Sequence, residues 1–180
     1  MSIVESNSIE LIDSATVSGG ETEVFVEGMT EIGTYLLVFN NVADTDAGAS
    51  LRCSPSYNTN ADTSSFWYQA GRQMKNATNS NQAAVNTTGN IVNYSNTGSA
   101  YETNGYAYLY QGNNLKNGVF DTFFKITSFA ITYNDTDFII HDENLHWINS
   151  SFHPNGLRLF PSTGAFETGE FRLYKFRIGS

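Results

Sequence analysis

The chain holds one cysteine, Cys53, in 180 residues, so it can form no intrachain disulfide and its fold does not depend on oxidation. Charge is scarce as well. Asp, Glu, Lys and Arg make up 15% of the residues, against about 25% in soluble domains. The polar surface must then come from Asn, Thr, Ser and Gly, which suit β-structure in stable assemblies and are poor material for long solvated helices. Basic charge is scarcest of all: residues 1–51 contain nine acids and no Lys or Arg. With a formal net charge of −9 and a pI near 4.6, the chain is repelled by phosphate backbones and by anionic membrane surfaces, which argues against nucleic-acid and membrane partners. Long apolar runs are missing too. The longest, Tyr35-Leu36-Leu37-Val38-Phe39, is far too short to span a bilayer. No basic-then-apolar leader opens the chain, so the sequons at Asn76, Asn86, Asn93, Asn134 and Asn149 carry no weight. No ten-residue stretch shows a capped 3.6-residue apolar period, and there is no internal repeat or heptad pattern.

What is present is β-material. Apolar residues make up 40% of the chain and aromatics 14%, with 13 Phe and 10 Tyr. The length fits one domain with a sizeable core. Residues 1–8 are polar and read as a flexible N-terminal arm, and residues 9–180 as the folded domain. Strand patterns occur at Ile9–Ile12 with Ala15–Ser18, at Glu21–Val26, at Tyr35–Val42 (expected to be buried on both faces), at Leu51–Ser54 and at Phe66–Gln69. Residues 70–105 turn to Asn, Thr, Ser, Gly and Ala. They read as long connections around one or two strands near Gln73 and Ile91. Strands resume at Tyr106–Tyr110, Phe123–Tyr133, Phe138–His141, Leu145–Ile148, Leu157–Pro161 and Phe171–Ile178. Turn signals stand at Gly19-Gly20, Asn113-Asn114, Asn117-Gly118 and Asn155-Gly156. Eight to ten strands separated by Gly and Asn turns predict an all-β antiparallel sandwich, of jelly-roll type.

The charge is unevenly spread. Against the acidic first quarter, residues 158–180 hold Arg158, Arg172, Lys175 and Arg177 with only Glu167 and Glu170. Two arrangements fit this: the two ends pair as neighbouring strands with opposite charges across the ladder, or they form two unrelated solvated faces.

The ends also carry a family resemblance. Asn155-Gly156-Leu157-Arg158-Leu159-Phe160-Pro161, then Gly164-Ala165-Phe166 and Gly169-Glu170-Phe171-Arg172-Leu173-Tyr174-Lys175-Phe176, resembles the closing hairpin of a set of phage virion jelly-roll domains found in tail fibres, baseplates and capsid surface proteins. Tyr35–Val42, Thr45-Asp46 and Leu51–Ser54 are similar to an earlier block of the same family. Residues 56–105 have no counterpart, and Lys175 stands where the family often has Gly. The resemblance implies an antiparallel jelly roll, usually a homotrimer, exposed on a phage particle and made in the cytoplasm of a bacterial host. Its motifs are turns and core positions, so it brings no catalytic residue and no cofactor. With no shaft or anchoring domain in evidence, it points to a non-enzymatic capsid decoration or cement protein whose partners are major capsid or tail proteins. The alternatives are a tail fibre or tail accessory protein that binds a host surface glycan, and, behind it, a polysaccharide depolymerase.

Candidate sites are few. Asp44-Thr45-Asp46-Ala47-Gly48 mimics the start of a calcium loop but lacks a third carboxylate at the right spacing and a distal Glu, so it reads as a turn. His141 and His146, with His153 nearby, suggest a metal site only superficially. Their i, i+5 spacing puts the first two on opposite faces of a strand, and they read instead as solvated loop residues or a subunit contact. Cys53 reads as a small buried apolar residue. No catalytic motif is present. The aromatic sets are the remaining candidates for a partner or glycan contact: Phe66 with Trp67 and Tyr68, and Tyr106, Tyr108 and Tyr110 on alternate positions of one strand. Packing in the core or between subunits is the preferred role, and stacking on sugar rings the alternative.

Overall fold

The computed structural model describes residues 8–46, 49–61, 67–75, 78–86, 88–92, 102–116, 119–133, 138–149 and 154–177. These form strands Ser8–Val17 (β1), Val24–Glu27 (β2), Gly33–Asp44 (β3), Leu51–Tyr57 (β4), Asn60–Ala61 (β5), Trp67–Lys75 (β6), Thr78–Asn86 (β7), Gly89–Val92 (β8), Glu102–Lys116 (β9), Val119–Tyr133 (β10), Phe138–Asn149 (β11), Gly156–Pro161 (β12) and Phe166–Arg177 (β13). There is no helix among the described residues. Two antiparallel sheets face each other as a sandwich. The larger has eight strands in the order β1-β13-β3-β9-β10-β11-β6-β7; the smaller has the path β2-β12-β4-β5, with β8 on β4. The core lies between them. Tyr35, Leu37, Phe39, Leu109, Trp147 and Phe171 come from the large sheet and meet Val26, Leu51, Cys53, Ile91, Leu157 and Leu159 from the small one.

The first and last strands pair with each other, which settles the charge asymmetry. β1 lies antiparallel on β13, with Glu10 opposite Lys175 and Ser8 opposite Arg177. Arg177 grips Glu10 at 2.5 Å, Lys175 is paired with Glu31, and Arg158 meets Glu23 at 2.5 Å while stacking over the Phe160 ring. Lys175 also holds the Glu31 carboxyl below the usual carboxylate range. Three acids of the N-terminal quarter thus find their cations in the C-terminal strands. These pairs are solvent-facing and weak, so they favour the register more than they stabilise the fold. Glu10→Gln should lower the unfolding free energy by under about 1 kcal/mol, with the difference vanishing in 1 M salt in a urea titration.

The alternation breaks in β1 for a local reason. A bulge between Leu11 and Asp13 lets Ile9 and Leu11 face out while Ile12 packs on the core. It also aims the Asp13 carboxylate at β2, where Oδ2 accepts the Glu27 N–H at 2.7 Å and ties the two sheets at their edge.

The structure departs from the sequence reading in several places. Among the described residues thirteen strands stand where eight to ten were expected. Within 70–105 the strands expected near Gln73 and Ile91 are present as β6 and β8, while β7 and the start of β9 stand where connections were expected; residues 76–77, 87 and 93–101 lie outside the described residues. These strands carry few large apolar residues, and ladder hydrogen bonding to β11 and within the β6–β7 hairpin needs none. Asn113-Asn114 is not a turn: both residues pair with β10 inside β9. Asn117-Gly118 lies outside the described residues, though its flanks Lys116 and Val119 pair. Residues 138–149 are one continuous strand rather than two, which carries His141 and Glu143 into the buried face with Leu145 and Trp147.

Asn155-Gly156 is likewise no hairpin turn. It follows the passage from β11 in the large sheet to β12 in the small one. There Asn155 donates its N–H to the Ser56 carbonyl, accepts from the Met29 N–H at 2.7 Å through its own carbonyl, and links by its side chain to Asn58. A Cβ on Gly156 would sit 2.4 Å from the Val26 carbonyl oxygen, so only glycine fits between β2 and β4. Residues 1–7 of the expected arm lie outside the described residues; Ser8 already belongs to β1.

Candidate binding face

The outer side of the eight-stranded sheet is built by cross-strand rows that the register fixes. Leu11 lies opposite Tyr174, Tyr174 opposite Leu36, Leu36 opposite Tyr108 and Tyr108 opposite Thr127. One row further along, Arg172, Val38, Tyr106, Phe129 and Asp142 line up in the same way. Directly opposed residues share a sheet face. The result is a broad aromatic and aliphatic surface on the side away from the core.

Three of the six aromatic residues singled out in the sequence meet here. Tyr106, Tyr108 and Tyr110 are 41%, 47% and 44% exposed, as their alternate spacing requires. The rings do not lie flat. Tyr106 and Tyr108 meet edge to face, 5.6 Å apart at 75°, while Tyr106 leans on Phe129 and Tyr108 on Phe176 at tilts of 31°. The face is therefore corrugated. Between the rows runs a shallow groove of about 440 Å³, walled by Leu36, Val38, Tyr106, Tyr108, Phe129 and Ile131 and closed at one end by Asn40 and Asn104. Trp67 and Tyr68 open β6 beside β11, pairing with Trp147 and His146; their side chains are outside the described set, and Phe66 lies outside the described residues altogether.

The polar end of the groove rests on a second bulge. The ladder between β3 and β9 slips between Phe39 and Val42, with Asn41 in the left-handed region at φ 51°. Asn tolerates that conformation better than other L-residues because its short side chain bonds locally. Here the stabilising contacts come from neighbours: the Asn104 Oδ1 accepts the Asn41 N–H at 2.9 Å and the Thr168 hydroxyl donates to the Asn41 carbonyl.

Sequence reasoning missed the aliphatic half of this face. Tyr35–Val42 was expected to be buried on both sides, but only Tyr35, Leu37, Phe39 and Val42 are buried; Leu36, Val38 and Asn40 remain half-open on the outer side. The signal was there in a run apolar at every position from 35 to 39. Such a run predicts two covered faces; here one of them is covered only by its neighbours' rings.

The other candidates are not brought together with this face. Asp44 ends β3 and Thr45 is hydrogen-bonded in both directions to Ala165, so the segment is a turn docked on the β12–β13 connection. Burial, reinforced by Asp46, raises the Asp44 carboxyl to about 7. His141 is fully buried and His146 exposed on the opposite side, as their spacing predicts, so His141 is a core residue rather than a loop or surface one. Burial lowers its imidazole to about 4. His153 lies outside the described residues. Cys53 is buried, its thiol pushed up by desolvation. Among the described residues no three His, Cys, Asp or Glu side chains are grouped to hold a metal, and none of the helix-type spans that cross a membrane is present. Comparison of the chain with protein-family models, with curated proteins and with solved structures finds no match.

Proposed function

We propose that this chain is a non-enzymatic assembly protein of a phage particle: a jelly-roll surface subunit that trimerises and decorates the shell. The observation that carries the binding part is the outer face of the large sheet. Monomeric proteins seldom leave a contiguous aromatic and aliphatic surface of several hundred Å² in water unless it meets a partner. The phage part rests on the resemblance of the two end blocks. It is supported by how those blocks are used: the closing residues 155–176 and the early block 35–54 supply β12, β13, β3 and β4, which pair directly with one another across both sheets. Blocks that recur together are expected to be neighbours.

A glycan-binding role for the same tyrosines fits the geometry less well. A flat platform of coplanar rings is what an extended glycan stacks on, and Tyr106 and Tyr108 stand at 75° to each other instead. The decisive measurement is cryo-electron microscopy of particles of the phage that encodes the chain, with the protein tagged. Density for it in regular copies on the shell is the expected result. Particles without it, together with tight glycan-array binding that Tyr108→Ala abolishes, would replace this reading with the receptor-binding one.

A further inference from the structure

We infer that the tyrosine face is where copies of this chain hold one another, leaving the acidic remainder of the surface free for other contacts. The inference rests on the assembly reading above and assigns the partner of that face. Two arguments choose a second copy over another occupant.

The first is charge. The chain carries a net −9, so two copies repel over most of their surface. Among the described side chains, the outward positions of β13, β3, β9, β10, β11 and β6 around the tyrosines hold Arg172, Lys125 and Arg72 against Glu170, Glu102 and Asp142, a balance of zero. Arg172 and Glu170 are moreover paired with each other at 2.5 Å. A basic partner would be drawn to the acidic surface elsewhere. An identical acidic copy meets no net opposition on this face.

The second is area. At roughly 200 Å² for a whole aromatic side chain, the open fractions of Tyr106, Tyr108, Tyr110 and Phe129, with Ile9 and Leu11, leave about 500 Å² of apolar surface. The half-buried Leu36, Val38 and Phe176 between them extend this toward the ~800 Å² per partner that a standard stable interface buries. The corrugation suits a protein surface with its own ridges, and tyrosine and phenylalanine are the residues that such interface centres favour.

The test is the mass in solution of the purified full chain by light scattering and sedimentation, with circular dichroism to check folding. The wild type should run as a multiple of its 19.9 kDa. Phe129→Glu and Tyr108→Glu, both exposed changes, should run as folded monomers, their association weakened by at least about 100-fold. Tyr110→Ser, a milder change on the same face of β9, should weaken association in the same direction and stands in should a charged variant not fold. Tyr57→Glu alters an exposed aromatic on the small sheet and should leave the mass unchanged. A monomeric wild type overturns the inference, as does an oligomer whose mass survives all three changes on the face. Shell binding by a monomer would sink this inference and the trimer with it but leave shell decoration standing; an oligomer built on this face that never joins a particle would keep this inference and remove shell decoration.

Discussion

Gly105→Ala should lower the unfolding free energy by about 3 kcal/mol, at the upper end of what a single overpacked methyl costs. Gly105 sits in β9 at an inward position, paired with Phe39 on one side and Ala130 on the other. A Cβ there would lie 2.5 Å from the Phe129 carbonyl oxygen, 2.7 Å from the Phe39 ring and 2.8 Å from the Ala130 methyl. One of the three is backbone and another is a fully buried ring, so no flexible tip can swing away. The strand itself must shift, which moves Asn104 and Tyr106 on the outer face with it. A loss of this size corresponds to roughly 6–12 °C in melting temperature for a chain of this length. Gly33→Ala is the control. No atom stands within 4 Å of a Cβ at Gly33 and its backbone is not left-handed, so this change should be neutral or should stabilise by up to about 1 kcal/mol through the unfolded state. Paired urea titrations of the two variants measure the contrast. Equal behaviour would mean that β9 is not clamped between β3 and β10 at Gly105.

That clamp shows where sequence reasoning reaches and where it stops. The alternation of Tyr106, Tyr108 and Tyr110 fixed which residues share a face, because the side-chain period of a strand is two whatever lies beside it. It could not say which strands lie beside it. Leu36, Val38, Phe129, Ile131 and Phe176 join the tyrosines only through the order β13-β3-β9-β10, which is a matter of register between segments far apart in the chain. The pairing of the two ends was legible as one of two options from charge alone, since an acidic quarter and a basic tail find a common solution in a shared ladder. The strands expected at Phe66–Gln69 and near Gln73 and Ile91 stand as β6 and β8, but β7 was not legible, because apolar alternation is the signal of a strand with one face in a core. A segment such as Thr78–Asn86, with Val85 its one large apolar residue, is held by backbone pairing with β6 instead. The bulges in β1 and β3 escaped for the same reason: each shifts the register by a residue, and adjacent apolar residues such as Leu11-Ile12 show the slip only once the partner strand is known.

Asp44→Asn should stabilise the protein by on the order of 3 kcal/mol at pH 8 and by almost nothing near pH 4. Asp44 lies partly buried at the end of β3, with Asp46 adding repulsion. Among the described residues its Oδ1 has no hydrogen-bond partner. Its carboxyl therefore rises from 3.8 to about 7 on folding. Between those two values the folded chain binds more protons than the unfolded chain, so stability falls as pH rises through the window, and the full cost is present above it. The residual exposure of Asp44 screens part of this cost, which keeps it below the linkage limit set by the whole shift. Buried His141 works in the opposite sense. Its imidazole falls from 6.5 to about 4, so the unfolded chain binds the extra proton and stability is lost as pH falls through that range. The two slopes overlap between about pH 4 and 6.5 and oppose each other. The wild type should accordingly change little in stability across that interval, whereas Asp44→Asn, with one slope removed, should lose stability steadily on acidification. Urea midpoints at half-unit steps from pH 4 to 8 separate the two profiles. A variant that parallels the wild type throughout would show that Asp44 is ionised in the folded protein at ordinary cost, and that the turn docked on Ala165 leaves its carboxylate adequately solvated.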